Sequence, residues 1–207
     1  MASRSRTVFF ADYVFHVSEN VYEPAEDSFL FAENLTVKKG ETVLDLGTGC
    51  GILGIIAAKK ATAVVAVDIN LQAVQCAKEN AKLNGVANKM LFVQGDLFAP
   101  IKTEEKFDLI LFNAPYLPSK PAEDNLWLER AWVGGVTGRQ VIDYFICEAP
   151  KYLKENGRIL LVQSTLSAVD ETLQKFEKSG LKTSIIAKRT LPLFETIVLV
   201  EAKAKSV

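Results

Sequence analysis

Along the 207-residue chain, short and nearly continuous apolar runs alternate with longer stretches whose apolar positions recur at helical spacing. The runs ETVLDLG, AVVAVD, KMLFVQGD, FDLILFN and GRILLVQS predict strands covered on both faces, because a strand with one wet face would alternate instead. GILGIIAAKK predicts a helix, as do Asn70 to about Asn84, Arg139 to Leu153, and Ala168 to Lys178. In the Asn70 helix, Asn70 is the expected N-cap, Leu71, Val74, Ala77 and Ala81 form the apolar stripe, and Gly85 stands where a helix commonly ends. KTSIIAKR and ETIVLVEAK, joined by the turn TLPLF, predict a closing hairpin and therefore one antiparallel strand. Together these elements predict a doubly wound, mostly parallel α/β sheet over residues 36–207. Residues 1–35 precede the pattern and predict an extension with one helix.

Composition narrows the partners. At 49% hydrophobic the chain can bury a sizeable core. Lys+Arg total 24 against Asp+Glu 25, a formal net charge of −1, so the basic excess of most duplex-binding proteins is missing. A small molecule or another protein is the expected main partner. Cys50, Cys76 and Cys147 are widely separated and His16 is the only histidine, which leaves no sequence pattern for a zinc site. Free thiols match a reducing compartment. The apolar runs are strand-length and MASRSRTVFF lacks a secretory h-region, so a soluble cytoplasmic protein away from the membrane is expected.

Candidate chemistry gathers where strands end. The first strand runs into DLGTGCGILG, in which Gly47, Gly49 and Gly51 let the backbone turn tightly and approach a ligand. Gly49 to Gly54 also satisfies GxGxxG, a weak sign of a dinucleotide on its own. Asp45 tilts the choice: a carboxylate there disfavours a pyrophosphate and suits the ammonium of a methionine moiety, hence S-adenosylmethionine. Asp68 ends the next strand, where an acid accepts ribose hydroxyls of either cofactor. Asp96 in QGDLF ends the third, placed to accept an adenine N–H while Leu97 and Phe98 touch the ring. At the fourth strand end, an amide, Asn113, is followed by Ala114, Pro115 and Tyr116.

In order, DLGTGCG, VDIN, GDLF and NAPY resemble the motifs of class I methyltransferases that modify planar amide or amino nitrogens, whose hallmark is N-P-P-Y. VYEPAEDSFLF (Val21 to Phe31) and AWVGGVTGRQVIDYF (Ala131 to Phe145) narrow the resemblance to release-factor glutamine methyltransferases of the eukaryotic and archaeal type. The resemblance implies a seven-stranded Rossmann-like methyltransferase sheet that binds S-adenosylmethionine and methylates the glutamine of a Gly-Gly-Gln loop in a release factor. On it, Ser28 contacts the cofactor, as do Asp45, Gly47, Gly49, Gly51, Asp68, Asp96, Leu97 and Asn113. Asn113 Oδ1 and the carbonyl of Ala114 would accept the two N–H bonds of the acceptor amide. Pro115 would fix that turn and Tyr116 would stack on the flat group. Ala114 replaces the family's first proline; since a main-chain carbonyl is what the position offers, alanine can supply it, and Pro115 keeps it extended. The resemblance also implies a small zinc-binding activator protein paired against the AVVAVD strand, a pairing that would account for that strand's apolar character. Adenine-N6 methylation of RNA or DNA, protein-lysine methylation, and a non-catalytic cofactor-binding module are the alternatives. The segment from Leu117 to Arg139, with Trp127, Trp132 and Gly134-Gly135, is expected to shape the substrate groove.

Overall fold

The structure, a computed structural model, describes residues 5–119, 131–192 and 195–204. Trp127 and the rest of 120–130 therefore lie outside the described residues, as does part of the turn before the last strand. The described strands are β1 (Ser5–Phe10), β2 (Tyr13–Ser18), β3 (Thr42–Leu46), β4 (Ala63–Asp68), β5 (Met90–Gln94), β6 (Phe107–Asn113), β7 (Leu153–Ser164), β8 (Leu181–Thr190) and β9 (Thr196–Ala204). The helices are α1 (Glu26–Asn34), α2 (Ile52–Ala58), α3 (Leu71–Leu83), α4 (Gln140–Glu148) and α5 (Val169–Lys178). Seven strands form one sheet in the order β5-β4-β3-β6-β7-β9-β8, with β9 antiparallel to both neighbours. This is the expected mostly parallel doubly wound sheet with its antiparallel strand near the C-terminus.

The chain divides into two compact units, Met1–Ile101 and Lys102–Val207. In the first, β3, β4 and β5 pair in parallel, and β3 and β4 are buried because α2 and α3 bring the small residues Ala57, Ala58, Ala77 and Ala81 into the core. Helix α3 starts as expected: Asn70 Oδ1 accepts the Gln72 N–H at 2.9 Å. It ends in a Schellman turn, with Gly85 at φ +70°, its N–H on Lys82 O and the Val86 N–H on Ala81 O. Leu71 departs from the expected stripe. It is 48% exposed, and Ala73, Val74, Cys76 and Ala77 form the covered face.

Two expectations change in this unit. The AVVAVD strand, β4, has no open edge, since β3 and β5 flank it on both sides. Its apolar character follows from burial within its own sheet, and the strand that ends the sheet on this side is β5. The N-terminal segment holds the expected helix, α1, but also a hairpin that the sequence reading lacked. Strands β1 and β2 form a separate antiparallel pair joined by Ala11-Asp12, with Ala11 in the left-handed region at φ +47°. Two asparagines one helical turn apart, Asn80 on α3 and Asn84 at its C-cap, bind it. Asn84 Oδ1 accepts the Val14 N–H and its Nδ2 donates to Val14 O, while Asn80 does the same for His16.

In the second unit, β6, β7 and β9 form a buried three-stranded core. Phe112 of β6 packs on Phe145 of α4 at 4.7 Å between ring centroids, and Phe145 meets Phe176 of α5 edge-on at 6.4 Å. The helix expected over Arg139 to Leu153 ends as α-helix at Glu148 and continues as a 3₁₀ turn through Pro150 to Tyr152. A proline there cannot continue the α-helical hydrogen bonds.

Candidate active site

The site residues divide between the two units. In the first unit, β3 delivers Asp45 into the core, where it is 1% exposed. Asp45 Oδ2 accepts the Thr48 hydroxyl at 2.6 Å and the Gly54 N–H at 3.0 Å, so this carboxylate braces the loop that follows it. Gly54 is required for that contact, because a Cβ would sit 2.7 Å from Asp45 Oδ2. The other oxygen, Oδ1, is buried and accepts no hydrogen bond. Burial, with a smaller contribution from the Asp68 charge, outweighs those two hydrogen bonds and pushes the carboxyl up to about 7.

Gly47, Gly49 and Gly51 all adopt positive φ (62°, 57° and 90°), and a Cβ on Gly51 would collide with Ala77 of α3 at 3.0 Å. Three amides of this turn are already engaged: Thr48 N–H on Val67 O, Gly49 N–H on Asp68 Oδ2, and Gly51 N–H on Thr48 O. A pyrophosphate needs a cradle of free N–H donors, as a phosphate-binding turn provides. A turn with these three donors already spent, two of them on β4, in front of a buried carboxylate with an unsatisfied oxygen, fits a cationic group instead. These residues therefore fit the ammonium and sulfonium of S-adenosylmethionine and fit a dinucleotide poorly.

Asp68 ends β4, with Oδ2 on the Gly49 N–H at 2.9 Å and Oδ1 on the Asn70 N–H at 2.9 Å. Burial raises its carboxyl above the usual range against the pull of those bonds. Each oxygen keeps a lone pair for a further donor such as a ribose hydroxyl. After β5, Asp96 is exposed and Leu97 is held in the left-handed region at φ +45°. Strain of that kind in a non-glycine residue is often found at ligand clamps. Phe98 is 2% exposed and belongs to the core, so Asp96 and Leu97 are the accessible pair of this corner. Ser28 is buried on α1 and donates its hydroxyl to Asp27 Oδ1, which also takes the Ser28 N–H, while Tyr22 donates to both Asp27 oxygens.

In the second unit, β6 ends at Asn113, whose Oδ1 is buried. Ala114 and Tyr116 are buried too. The following residues are held by a short parallel bridge between Leu117 and Val133. Leu117 donates its N–H to Trp132 O at 2.8 Å and accepts from the Gly134 N–H at 3.0 Å, and Ser119 donates to Gly135 O at 3.0 Å. Residues around Leu117 and Trp132 are thus paired backbone, although no strand is predicted between Leu117 and Arg139.

Sequence reasoning passed over Asn80 and Arg139. Asn80 also donates to Cys50 O at 2.9 Å, joining the hairpin to the glycine loop. The signal was an asparagine inside a helix, where it is a weak helix former, four residues before a second one at the helix's end. Arg139 is a charged residue 5% exposed at the start of α4, and nothing in the pattern of neighbours announces its burial.

A doubly wound sheet with this glycine turn and an Asn-Ala-Pro-Tyr end to β6 defines a class I methyltransferase. Residues 17–130 match the family model of the methyltransferase small domain. A "Putative protein N5-glutamine methyltransferase" of Methanocaldococcus jannaschii is 45% identical over 181 residues, 86% of this chain and 90% of that one. Human methyltransferase HEMK2 is 32% identical, covering 82% of this chain and 84% of its own. The Mtq2-Trm112 complex of E. cuniculi, described as methylating the translation termination factor eRF1, superposes with a TM-score of 0.69 at 27% identity, over 90% of this chain and 99% of that one. This chain belongs to the methyltransferase small domain family, in the group of the protein N5-glutamine methyltransferase and HEMK2 relatives.

Proposed function

We propose that this chain transfers a methyl group from S-adenosylmethionine to the side-chain amide nitrogen of the glutamine in a Gly-Gly-Gln loop of a peptide release factor. The observation that carries it is the end of β6, where an amide side chain is followed at once by irregular backbone fixed by Pro115. Asn113 Oδ1 and the Ala114 carbonyl accept the two N–H bonds of the acceptor, which turns the nitrogen lone pair outward, and Tyr116 packs on the amide plane. An amide nitrogen is a weak nucleophile, so orientation and transition-state electrostatics supply most of the rate. When bound, S-adenosylmethionine supplies an electrophilic methyl on a sulfonium. Asp45, with Gly47, Gly49 and Gly51, holds the methionine end; Asp68 holds the ribose; Asp96 and Leu97 hold the adenine. Ser28 contributes through its cluster with Asp27 and Tyr22. The catalytic domain runs over residues 36–207, with 1–35 as an extension that docks on α3.

The partner is a small zinc-binding activator protein that lies along β5. Strand β5 ends the sheet and exposes Leu91 at 60%, which the interior strand β4 does not. The test incubates the chain with labelled S-adenosylmethionine and either a Gly-Gly-Gln release factor or nucleic acid, with and without the activator, and locates the label by mass spectrometry. Label on the glutamine is expected. Label on nucleic acid alone would replace this reading with adenine methylation.

A further inference from the structure

The residues that follow Trp132 touch the acceptor loop in a way no side chain permits. A Cβ on Gly138 would lie 2.2 Å from Tyr116 O, and one on Gly134 would lie 2.7 Å from Pro115 O and 2.5 Å from Gly138 O. Gly135 and Gly138 have φ of +84° and +71°, and the turn closes on itself through Gly138 N–H to Gly135 O and Gln140 N–H to Gly134 O. The backbone of 134–138 therefore lies directly against the carbonyls of Pro115 and Tyr116. A loop needed only to reach α4 would not require two glycines in backbone contact with those carbonyls.

The next residue, Arg139, is pinned from several sides. It donates to Ser167 O at 2.6 Å, Ala168 O at 2.8 Å and Thr172 Oγ1 at 3.1 Å, and pairs with Asp143 at 2.6 Å and Glu171 at 3.3 Å. Lys175 closes the network on Asp143 at 2.9 Å and Glu171 at 2.6 Å. A buried guanidinium with this many partners has one position, and it fixes Gly138 beside it.

We propose that the Gly134–Gly138 turn, anchored by Arg139 to the start of α5, is a backbone template that holds the Asn113–Tyr116 loop in its reactive shape. Gly134, Gly138 and Arg139 are then positioning residues, which govern turnover and leave cofactor affinity alone. The proposal rests on reading Asn113–Tyr116 as the acceptor loop. Gly138→Ala, Arg139→Ala and Arg139→Lys test it against a Gly-Gly-Gln release factor. A displacement near 1 Å lowers turnover about 100-fold, so kcat should fall by about that factor in Gly138→Ala, with an unchanged S-adenosylmethionine Kd by calorimetry. Arg139→Ala should do the same, and Arg139→Lys, which keeps the charge without the fork, should recover part of the loss. Hydrogen exchange should speed up at the Leu117 and Ser119 amides and stay constant in β7 and β9. Wild-type kcat in Gly138→Ala, or unchanged exchange at Leu117 and Ser119, overturns the template. If Gly138→Ala does not fold, Arg139→Lys decides alone: a lowered kcat at constant Kd supports the template and an unchanged kcat sinks it. If the wild type fails to methylate a release factor, the acceptor assignment falls, and the exchange measurement still decides whether the template exists.

Discussion

The two oxygens of Asp45 have different surroundings, and the difference is measurable. Oδ2 braces the glycine loop, while Oδ1 is buried without a donor, and the carboxyl is pushed up to about 7. Between the ordinary carboxylate range and that value, the folded chain holds a proton that the unfolded chain has released. Stability therefore falls as pH rises through this window, opposite to the usual salt-bridged aspartate. Melting temperature measured from pH 5 to pH 8 should decline, with a flatter profile in Asp45→Asn; Asp68, also raised, contributes in the same direction. An ammonium placed against Oδ1 would favour the ionised form, so cofactor binding near pH 6.5 should release a proton. Calorimetry in buffers of different ionisation enthalpy reads that release, and its absence would remove Asp45 from the methionine end. Asn113 gives the complementary test. On the proposed function, Asn113→Ala removes one of the two acceptors that orient the acceptor nitrogen, so kcat should fall by about 10²–10³-fold with S-adenosylmethionine affinity kept. Wild-type turnover would refute its role.

At the scale of elements, the central sheet was legible because its strands are buried on both faces and its helices are not. FDLILFN and GRILLVQS became β6 and part of β7, and the Asn70 cap and Gly85 end bounded α3 within a residue. The β1–β2 hairpin was not legible. Its two-residue turn is Ala11-Asp12 where Asn-Gly would have marked it, and its docking depends on side chains some 64–70 residues away. The strand ends marked the candidate residues in the sequence, whereas the hydrogen bonds that occupy the glycine turn's amides depend on the fold of the loop and leave no mark in the residue pattern. Asn80 is where the hairpin can be tested. It is buried, and Asn80→Ala would strand the His16 N–H and the Cys50 carbonyl, leaving the His16 carbonyl only the Cys76 thiol, a loss of about 2–3 kcal/mol. Asn84→Ala, at a less buried position, should cost about 1 kcal/mol. Denaturant titration gives both values. Only the Asn80 change should also weaken S-adenosylmethionine binding, because only Asn80 reaches the glycine loop. Equal cofactor affinity in the two variants would mean that the hairpin does not support that loop.

For the whole molecule, the proposed activator protein needs a face to cover. The formal charge of −1 carries no net basic excess toward nucleic acid. Among the described residues, no helix is long and apolar enough to cross a membrane. The sheet has two edge strands, β8, which exposes Ile185 and Ile186, and β5, whose pattern leaves Leu91 and Gln94 exposed and no residue fully buried; the more exposed Leu91 makes β5 the edge to test. Among the described residues no strand pairs with its outer edge, and natural proteins rarely leave such an edge uncovered and apolar. A partner strand added there would gain main-chain hydrogen bonds along β5 and bury Leu91, with specificity set by alternate side chains. Leu91→Lys should then leave the isolated chain as stable as the wild type, since the position is already wet. In co-expression, the same substitution should abolish co-purification of the small activator and lower the yield of soluble chain to that of the chain expressed alone. If the activator still binds Leu91→Lys with wild-type affinity, β5 is not its seat, and the exposed leucine is only a surface residue.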